Sequence, residues 1–317
     1  MSKTPSMNAI AIRTEGLTRD FKTVRAVDAL TLDVPAGIIF GFLGPNGSGK
    51  TTTIRLLLGL LEPSAGRAEV LGHDTRNQAD AIRARTGALL EHHGLYERLS
   101  AEDNLDFYAR VWRLPDAARA ARIKELLGPV GLYDRRREIV GNWSRGMKQK
   151  LAVARTLLHR PALVFLDEPT AGLDPIAAAE LREQLALLAA REGVTVFLTT
   201  HNLAEAEKLC HRVGVIRQGR LIAVGSPDEL RRGSARPHVD VIGRGFGEAA
   251  LTALRGRPEV AGVEVQDGAL SIDLRETVEV APLVSLLVQH GAQVEEVRKG
   301  QASLEDVFLT LMEEEQK

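Results

Sequence analysis

The fold is decided by one stretch, Gly44-Pro45-Asn46-Gly47-Ser48-Gly49-Lys50-Thr51. It matches the pattern G-x-x-x-x-G-K-[S/T], and it has the expected context, with a buried strand predicted at 38–43 and a helix at about 51–61. Glycines let backbone N–H groups converge on phosphate oxygens, and the helix start adds partial positive charge. We expect Lys50 to reach the β- and γ-phosphates of a nucleotide and the Thr51 hydroxyl to bind Mg²⁺. The alternative is a glycine-rich turn without a ligand.

A second buried strand, predicted at 163–166, ends in two carboxylates, Asp167 and Glu168. In open α/β sheets, ligands bind at the carboxyl ends of the strands. We therefore expect Asp167 to hold Mg²⁺, directly or through water, and Glu168 to polarise a water molecule against the γ-phosphate. A pair of carboxylates that only caps a helix or solvates a loop is the alternative.

Short strands alternate with helices through the first 230 residues. This alternation predicts an α/β fold with a mainly parallel sheet that is covered on both faces. Gln218-Gly219 lies between two apolar runs and predicts a hairpin. The other strands are predicted at 8–15, 30–34 and 194–199. The other helices are predicted at 104–114, with a capping-box start at Ser100–Asp103, and at 116–127, 144–159 and from residue 174 onward.

The last 80 residues follow a different plan. Between 237 and 300 the predicted order is strand, helix, strand, strand, helix, strand, which is the plan of a small α+β, ferredoxin-like domain. A final helix is predicted at 304–314. Residues 236–317 hold 8 Lys+Arg and 15 Asp+Glu, whereas residues 1–235 hold 33 and 27. We place a linker at 231–237 and predict two domains, 8–232 and 237–317.

The composition is that of a soluble globular protein: 317 residues, 44% hydrophobic, 26% charged, with a net charge of −1. It excludes disordered, collagenous and disulfide-stapled chains, and Cys210, the one cysteine, cannot form an internal bridge. No secretory signal is evident, and no apolar run approaches the ~18 residues that span a bilayer. Without a strongly basic face, binding to nucleic acid is not expected.

Further motifs, in a fixed order, make residues 8–230 resemble the ATP-binding subunit of ATP-binding cassette (ABC) transporters. Residues 143–149 resemble the signature LSGGQ-x-Q, and residues 169–174 resemble the D-loop. His201 is similar to the switch histidine, Phe21 stands where an aromatic side chain stacks on adenine, and Glu91 stands at the Q-loop. The resemblance implies a P-loop NTPase fold with an N-terminal antiparallel β part and a helical subdomain at about 92–160.

The resemblance also implies roles for individual residues. Two chains are expected to enclose two ATP molecules head to tail, as a homodimer or paired cassette. The residues implied to bind ATP are Phe21, Gly44, Pro45, Asn46, Gly47, Ser48, Gly49, Lys50, Thr51 and Thr52. The residues implied to contact the partner's ATP are Ser144, Arg145, Gly146 and Asp174. The resemblance implies catalytic roles for Glu168 and His201. It also implies that Thr51, Asp167 and Glu91 bind Mg²⁺.

Plainer interpretations stay open for several of these residues. Ser144 is also a favourable cap for an ordinary exposed helix, and Asp174 can serve only as the cap of the helix that Pro175 begins. His201 can be a surface or packed histidine, and Phe21 can be a core residue.

The sequence departs from the family pattern at two of the motifs. Glu91 replaces the usual Gln of the Q-loop, which keeps an oxygen for Mg²⁺ but loses an amide donor. In the signature, Arg145 replaces a Gly and Met147 replaces the Gln. Ser144 and Gly146 survive, so we expect the anion site at this helix end to persist.

The tail, which includes residues 303–308, resembles the accessory domain of drug-resistance-type ABC exporter ATPases. This implies an ATP-hydrolysing subunit on the cytoplasmic face of the membrane, which drives a separate transmembrane permease through residues 91–99 and 101–127. The exported compound would be a drug or other hydrophobic molecule. Alternatives are a soluble ABC ATPase in DNA repair or translation, a non-hydrolysing switch, and a tail that only stabilises or regulates a dimer.

Overall fold

The computed structural model describes residues 9–234, 238–266, 269–275, 278–300 and 304–308. The chain divides into two compact units, Met1–Ser226 and Pro227–Lys317. Within the described residues, every helix is too short or too polar to cross a bilayer.

The strands of the first unit form two sheets. They are β1 (Ile10–Phe21), β2 (Val24–Pro35), β3 (Ile39–Leu43), β4 (Ala65–Val70), β5 (His73–Asp74), β6 (Thr86–Leu89), β7 (Leu163–Asp167), β8 (Thr195–Thr200), β9 (Arg212–Arg217) and β10 (Arg220–Gly225). One sheet is antiparallel, in the order β2-β1-β4-β5. The other has the order β10-β9-β3-β8-β7-β6 and is parallel except for the β9-β10 hairpin. The predicted fold class, including this hairpin and the antiparallel N-terminal part, is confirmed.

The helices of the first unit connect these strands. They are α1 (Lys50–Leu57), α2 (Ala79–Arg85), α3 (Ala101–Val111), α4 (Asp116–Leu127), α5 (Arg145–Thr156), α6 (Pro175–Glu192) and α7 (Leu203–Leu209). α1 ends earlier than predicted because Gly59, with φ +64°, turns the chain away from the helix axis. α3 begins directly after Ser100, which caps it by accepting a hydrogen bond from the Asp103 backbone N–H, so the helix start predicted at 100–103 is confirmed.

The main core lies around the parallel sheet. All residues of β3, β7 and β8 are buried, as expected for strands that are covered on both faces. The Phe197 ring packs against Phe40, Phe42 and Phe165, with ring centroids 5.5–5.7 Å apart. Because these strands are parallel, their carboxyl ends meet at one edge of the sheet.

The second unit begins with α8 (Pro227–Ser234), so the first residues of the predicted linker are helical and 235–237 lie outside the described residues. It continues with β11 (His238–Arg244), α9 (Glu248–Arg255), β12 (Val260–Gln266), β13 (Ala269–Leu274), α10 (Ala281–Gln289) and β14 (Gln293–Gly300). The strands form an antiparallel sheet in the order β12-β13-β11-β14, the order of ferredoxin-like domains. Residues 304–308 are helical, and the rest of the predicted last helix lies outside the described residues.

We expect the Cys210 thiol of the folded protein to resist alkylation at pH 8. Burial raises the pKa of Cys210 to about 12, and the nearby Glu205 carboxylate contributes in the same direction. At pH 8 the thiolate fraction is then about 10⁻⁴, against roughly a quarter for an ordinary thiol, so the reaction should be about a thousandfold slower. Thiol titration with and without denaturant measures this. Rapid labelling of the native protein, absent in Cys210→Ser, would contradict it.

Candidate nucleotide site

The loop between β3 and α1 has a path that glycine alone allows at two positions. Gly49 has φ +107°, and a Cβ placed on it would lie 2.2 Å from the carbonyl oxygen of Ala26. A Cβ on Gly44 would lie 2.3 Å from the carbonyl oxygen of Ile216. The first turn of α1 carries no acidic residue, so its partial positive charge is not neutralised within the helix.

Lys50 is buried at this loop, with only 6% of the residue exposed to solvent. Its ammonium donates to the carbonyl oxygens of Gly44 at 2.7 Å and Pro45 at 3.1 Å, and it lies 3.4 Å from Glu168 Oε1. The Ser48 hydroxyl, also buried, has no hydrogen-bond partner among the described residues. Buried polar groups normally have partners, so an unmatched hydroxyl beside a buried ammonium fits a loop that accepts phosphate oxygens.

Asp167 lies at the end of β7, where a hydroxyl group donates to each of its carboxylate oxygens. Thr51 Oγ1 donates to Oδ2 at 2.6 Å, and Thr199 Oγ1 donates to Oδ1 at 2.5 Å. A hydroxyl and a carboxylate are the oxygen donors that Mg²⁺ uses when phosphates and waters complete its shell. Thr51 and Asp167 therefore fit the ion that the sequence predicts here.

Glu168 has a strained backbone. Its φ is +49°, a left-handed value that costs a residue with a Cβ roughly 1–2 kcal/mol. Its N–H donates to Thr199 Oγ1 at 3.0 Å. Its Oε2 accepts a hydrogen bond of 2.9 Å from Nδ1 of His201, whose side chain is 59% exposed. Strain of this kind concentrates at functional sites, and here it places Glu168 between Lys50 and His201.

A cleft of about 230 Å³ brings several predicted residues together. The residues that line it include Thr51, Asp167, Glu168, Glu91 and Arg145. The Glu91 carboxylate forms an exposed ion pair with Arg55 at 3.3 Å. Glu91 thus faces the cleft that contains Thr51 and Asp167, while its hydrogen bond goes to Arg55.

Ser144 caps the exposed start of α5, with its hydroxyl accepting from the Met147 N–H at 3.3 Å. The Arg145 guanidinium donates a hydrogen bond to the Ala171 carbonyl oxygen of the same chain at 2.9 Å. It also lies on Gly172, where a Cβ would come within 2.4 Å of it. Contact between Arg145 and a partner's nucleotide stays a prediction, whereas its contact with its own D-loop is a feature that the sequence did not indicate.

Two further predicted residues also have clear surroundings. Asp174 caps α6 by accepting from the N–H groups of Ile176 and Ala177 at 3.0 and 2.9 Å, so the cap interpretation is confirmed and remains compatible with a D-loop role. Phe21 is 39% exposed and has the Arg19 guanidinium 4.6 Å from its ring centroid, so it is not a core residue.

Sequence reasoning missed Thr199 and Arg55. Thr199 contacts both Asp167 and the Glu168 N–H, yet in the sequence it is one more β-branched residue of a buried strand. Its place beside His201, at the end of a strand next to β7, is the signal that could have identified it.

A phosphate-type loop, a strand-end carboxylate pair and a histidine, gathered at one edge of a mainly parallel sheet, define an ATPase of the P-loop class. Residues 27–171 match the ABC transporter family, and residues 225–312 match the C-terminal domain of DrrA1-3-like ATP-binding proteins.

Relatives match over nearly the whole chain. The daunorubicin resistance ATP-binding protein DrrA3 of Streptomyces coeruleorubidus is 38% identical, with 95% of each chain covered. The bacitracin transport ATP-binding protein BcrA of Bacillus licheniformis is 36% identical, over 95% of this chain and 97% of that one. A solved structure of cbiO1 from Clostridium perfringens, part of the ABC transporter complex cbiONQ, has a TM-score of 0.66 and 26% identity, over 71% of this chain and 91% of that one.

The chain therefore belongs to the ABC transporter family, as one of its ATP-binding, ATP-hydrolysing subunits.

Proposed function

We propose that this ATPase drives the export of a drug or other hydrophobic compound through a separate transmembrane permease, at the cytoplasmic face of the membrane. The relatives named for daunorubicin resistance and bacitracin transport, which align along 95% of the chain, support this. The same relatives give no support to the alternative role in DNA repair or translation. Residues 8–232 would be the ATP-binding domain and 237–317 the accessory domain.

The observation that carries the ATP-hydrolysing part of the proposal is the convergence of Lys50, Asp167, Glu168 and His201 at one sheet edge. The phosphate loop would bind ATP, with Lys50 exchanging its carbonyl contacts for phosphate oxygens and Phe21 stacking on the base. The remaining ATP-binding residues would be those from Gly44 to Thr52, as predicted.

The chemistry follows from the position of Glu168. Its carboxylate would orient a water molecule and accept its proton, while the Nδ1–H of His201 holds the other carboxylate oxygen in place. Thr51 and Asp167, with Glu91 of the same cleft, would hold Mg²⁺, which supplies positive charge to the phosphates when bound. The Glu168 backbone is left-handed and its carboxylate lies 3.4 Å from Lys50, so it would face the γ-phosphate that Lys50 is expected to bind.

We propose that ATP binding closes a head-to-tail homodimer. α5 has twelve residues and no acidic residue in its first turn, so its exposed start carries partial positive charge that suits a phosphate group. Ser144, Arg145 and Gly146 at this helix start, together with Asp174, would address the nucleotide of the partner subunit. Arg145 would have to exchange its bond with Ala171 for the partner's phosphate.

An apolar groove of about 400 Å³ lies beside the site and would receive the permease. Tyr108 of α3 and Trp112, which directly follows α3, line it, and Trp112 stacks on His159 with ring centroids 3.8 Å apart. It coincides with part of the contact region that the sequence predicts at 91–99 and 101–127. Leu90 lines both this groove and the nucleotide cleft, so a permease bound in the groove would directly contact a residue of the site.

The proposal is tested in inverted membrane vesicles that contain this chain and the permease encoded beside it. We expect ATP-dependent accumulation of a hydrophobic drug such as daunorubicin, and its loss in Lys50→Ala. Charge-assisted hydrogen bonds contribute roughly 1.5–3 kcal/mol, so ATP affinity of this variant should fall at least tenfold in calorimetric titration.

Lys208→Ala, which removes an exposed lysine of α7, serves as the matched control and should leave both quantities unchanged. Unaltered ATP affinity in Lys50→Ala would remove the phosphate loop from its role. ATP hydrolysis that drives no accumulation of any hydrophobic compound would refute export.

A further inference from the structure

A buried carboxylate that the mechanism above does not use lies beneath the site. Glu205 belongs to the first turn of α7, and its side chain is only 3% exposed. An ionised group at such a depth persists only when hydrogen bonds or opposite charge compensate its lost hydration. Thr170 Oγ1 donates to its Oε2 at 2.6 Å, Thr200 Oγ1 lies 3.5 Å from the same oxygen, and Arg182 lies 3.5 Å from Oε1.

The two threonines come from the two segments that carry the proposed catalytic groups. Thr170 follows Glu168 by two residues, and Thr200 directly precedes His201. One oxygen atom of Glu205 therefore contacts both the segment of the acid and the segment of the histidine.

Hydrogen bonds of Asn202 also connect Glu205 to the turn that carries His201. Asn202 caps α7 by accepting from the Glu205 N–H at 3.0 Å, and the Asn202 N–H donates to Thr200 Oγ1 at 3.0 Å. The turn that carries His201 is thus tied to Glu205 from both ends. The His201 side chain is itself 59% exposed, so little packing fixes it from outside.

From this geometry we propose that Glu205 is a positioning residue, which keeps Glu168 and His201 within hydrogen-bond distance of each other. The inference rests on the proposed roles of those two residues. Lys50 and the phosphate loop have no described contact with Glu205, so the effect should fall on turnover and spare ATP affinity. A misplacement of about 1 Å in a catalytic group can cost up to a hundredfold in rate.

The sharpest test is Thr170→Val, which keeps the side-chain volume and the Glu205 carboxylate but removes the short hydrogen bond. We expect kcat for ATP hydrolysis to fall about tenfold, with the ATP dissociation constant within twofold of the original. Thr170→Ser should restore most of the rate because it returns the hydroxyl. Thr252→Val, at an exposed threonine of α9, is the matched control and should have no effect.

A double-mutant cycle adds a measurement that a purely structural role would not change. If Glu205 acts through the Glu168–His201 pair, Thr170→Val should have almost no further effect on the single-turnover rate of His201→Ala. Additive effects, a loss of ATP affinity that parallels the loss of kcat, or no rescue by Thr170→Ser would overturn the inference.

The outcomes also separate this inference from the proposed function. If neither Glu168→Gln nor His201→Ala slows hydrolysis, the proposed catalytic roles fail, and the inference fails with them. If both slow hydrolysis and Thr170→Val keeps the original kcat, the inference on Glu205 alone is overturned.

Discussion

Glu168→Gln should lower the ATP turnover rate by about 10²–10⁴-fold and leave ATP affinity close to its original value. The range is that of a lost general base. The amide keeps the volume of the side chain and an oxygen that can accept from His201 Nδ1, but it cannot accept a proton from water. Phosphate release and calorimetric ATP binding, measured on the same preparation, separate the two effects.

Glu183→Gln is the matched control for this prediction, because it neutralises an exposed carboxylate of α6 away from the sheet edge. It should retain the original turnover rate. If Glu168→Gln releases phosphate as fast as the unmodified protein, Glu168 is not the base. If it also fails to bind ATP, the ion pair with Lys50 is needed to form the binding loop.

Ser144→Asp should weaken ATP-driven dimerisation by roughly several hundredfold or more. Aspartate is as good a helix cap as serine, so α5 should remain folded. Its carboxylate, however, would lie where we expect the partner's γ-phosphate. Like charges about 4 Å apart cost ~4 kcal/mol at an effective dielectric constant of 20, which corresponds to several hundredfold for each of the two sites of the dimer.

The measurement is sedimentation with ATP in a Glu168→Gln background, where the nucleotide should persist. Ser144→Thr keeps both the cap and the hydroxyl and should dimerise normally. Binding of ATP to the monomer should be the same in all these variants. A Ser144→Asp protein that dimerises as tightly as the control would reject the head-to-tail arrangement.

The sequence predicted the parts of the site whose chemistry depends on local order along the chain. The loop at 44–51 and the pair Asp167–Glu168 each follow an apolar strand, and parallel strands bring such ends together. The helix caps could also be predicted, because Ser100, Ser144 and Asp174 each stand directly before a helix that they cap.

What the sequence could not show are contacts between distant segments. Nothing near Arg145 indicates that its guanidinium lies on Gly172, because the residues meet only after α5 packs beside the D-loop. Glu205 looks like any acidic residue in the first turn of a helix, a position that usually faces solvent. The predicted length of α1 was wrong because the apolar pattern of the sequence continues past Gly59, whereas the backbone changes direction at that residue.

The segment that follows β6 presents neighbouring residues to opposite sides. His92 lines the apolar groove, His93 lines the nucleotide cleft, and Leu90 belongs to the walls of both. If the groove receives the permease as proposed, a substitution in this segment that improves that fit would also change the wall of the nucleotide cleft. Evolution toward a new membrane partner would then alter the rate of ATP consumption at the same time.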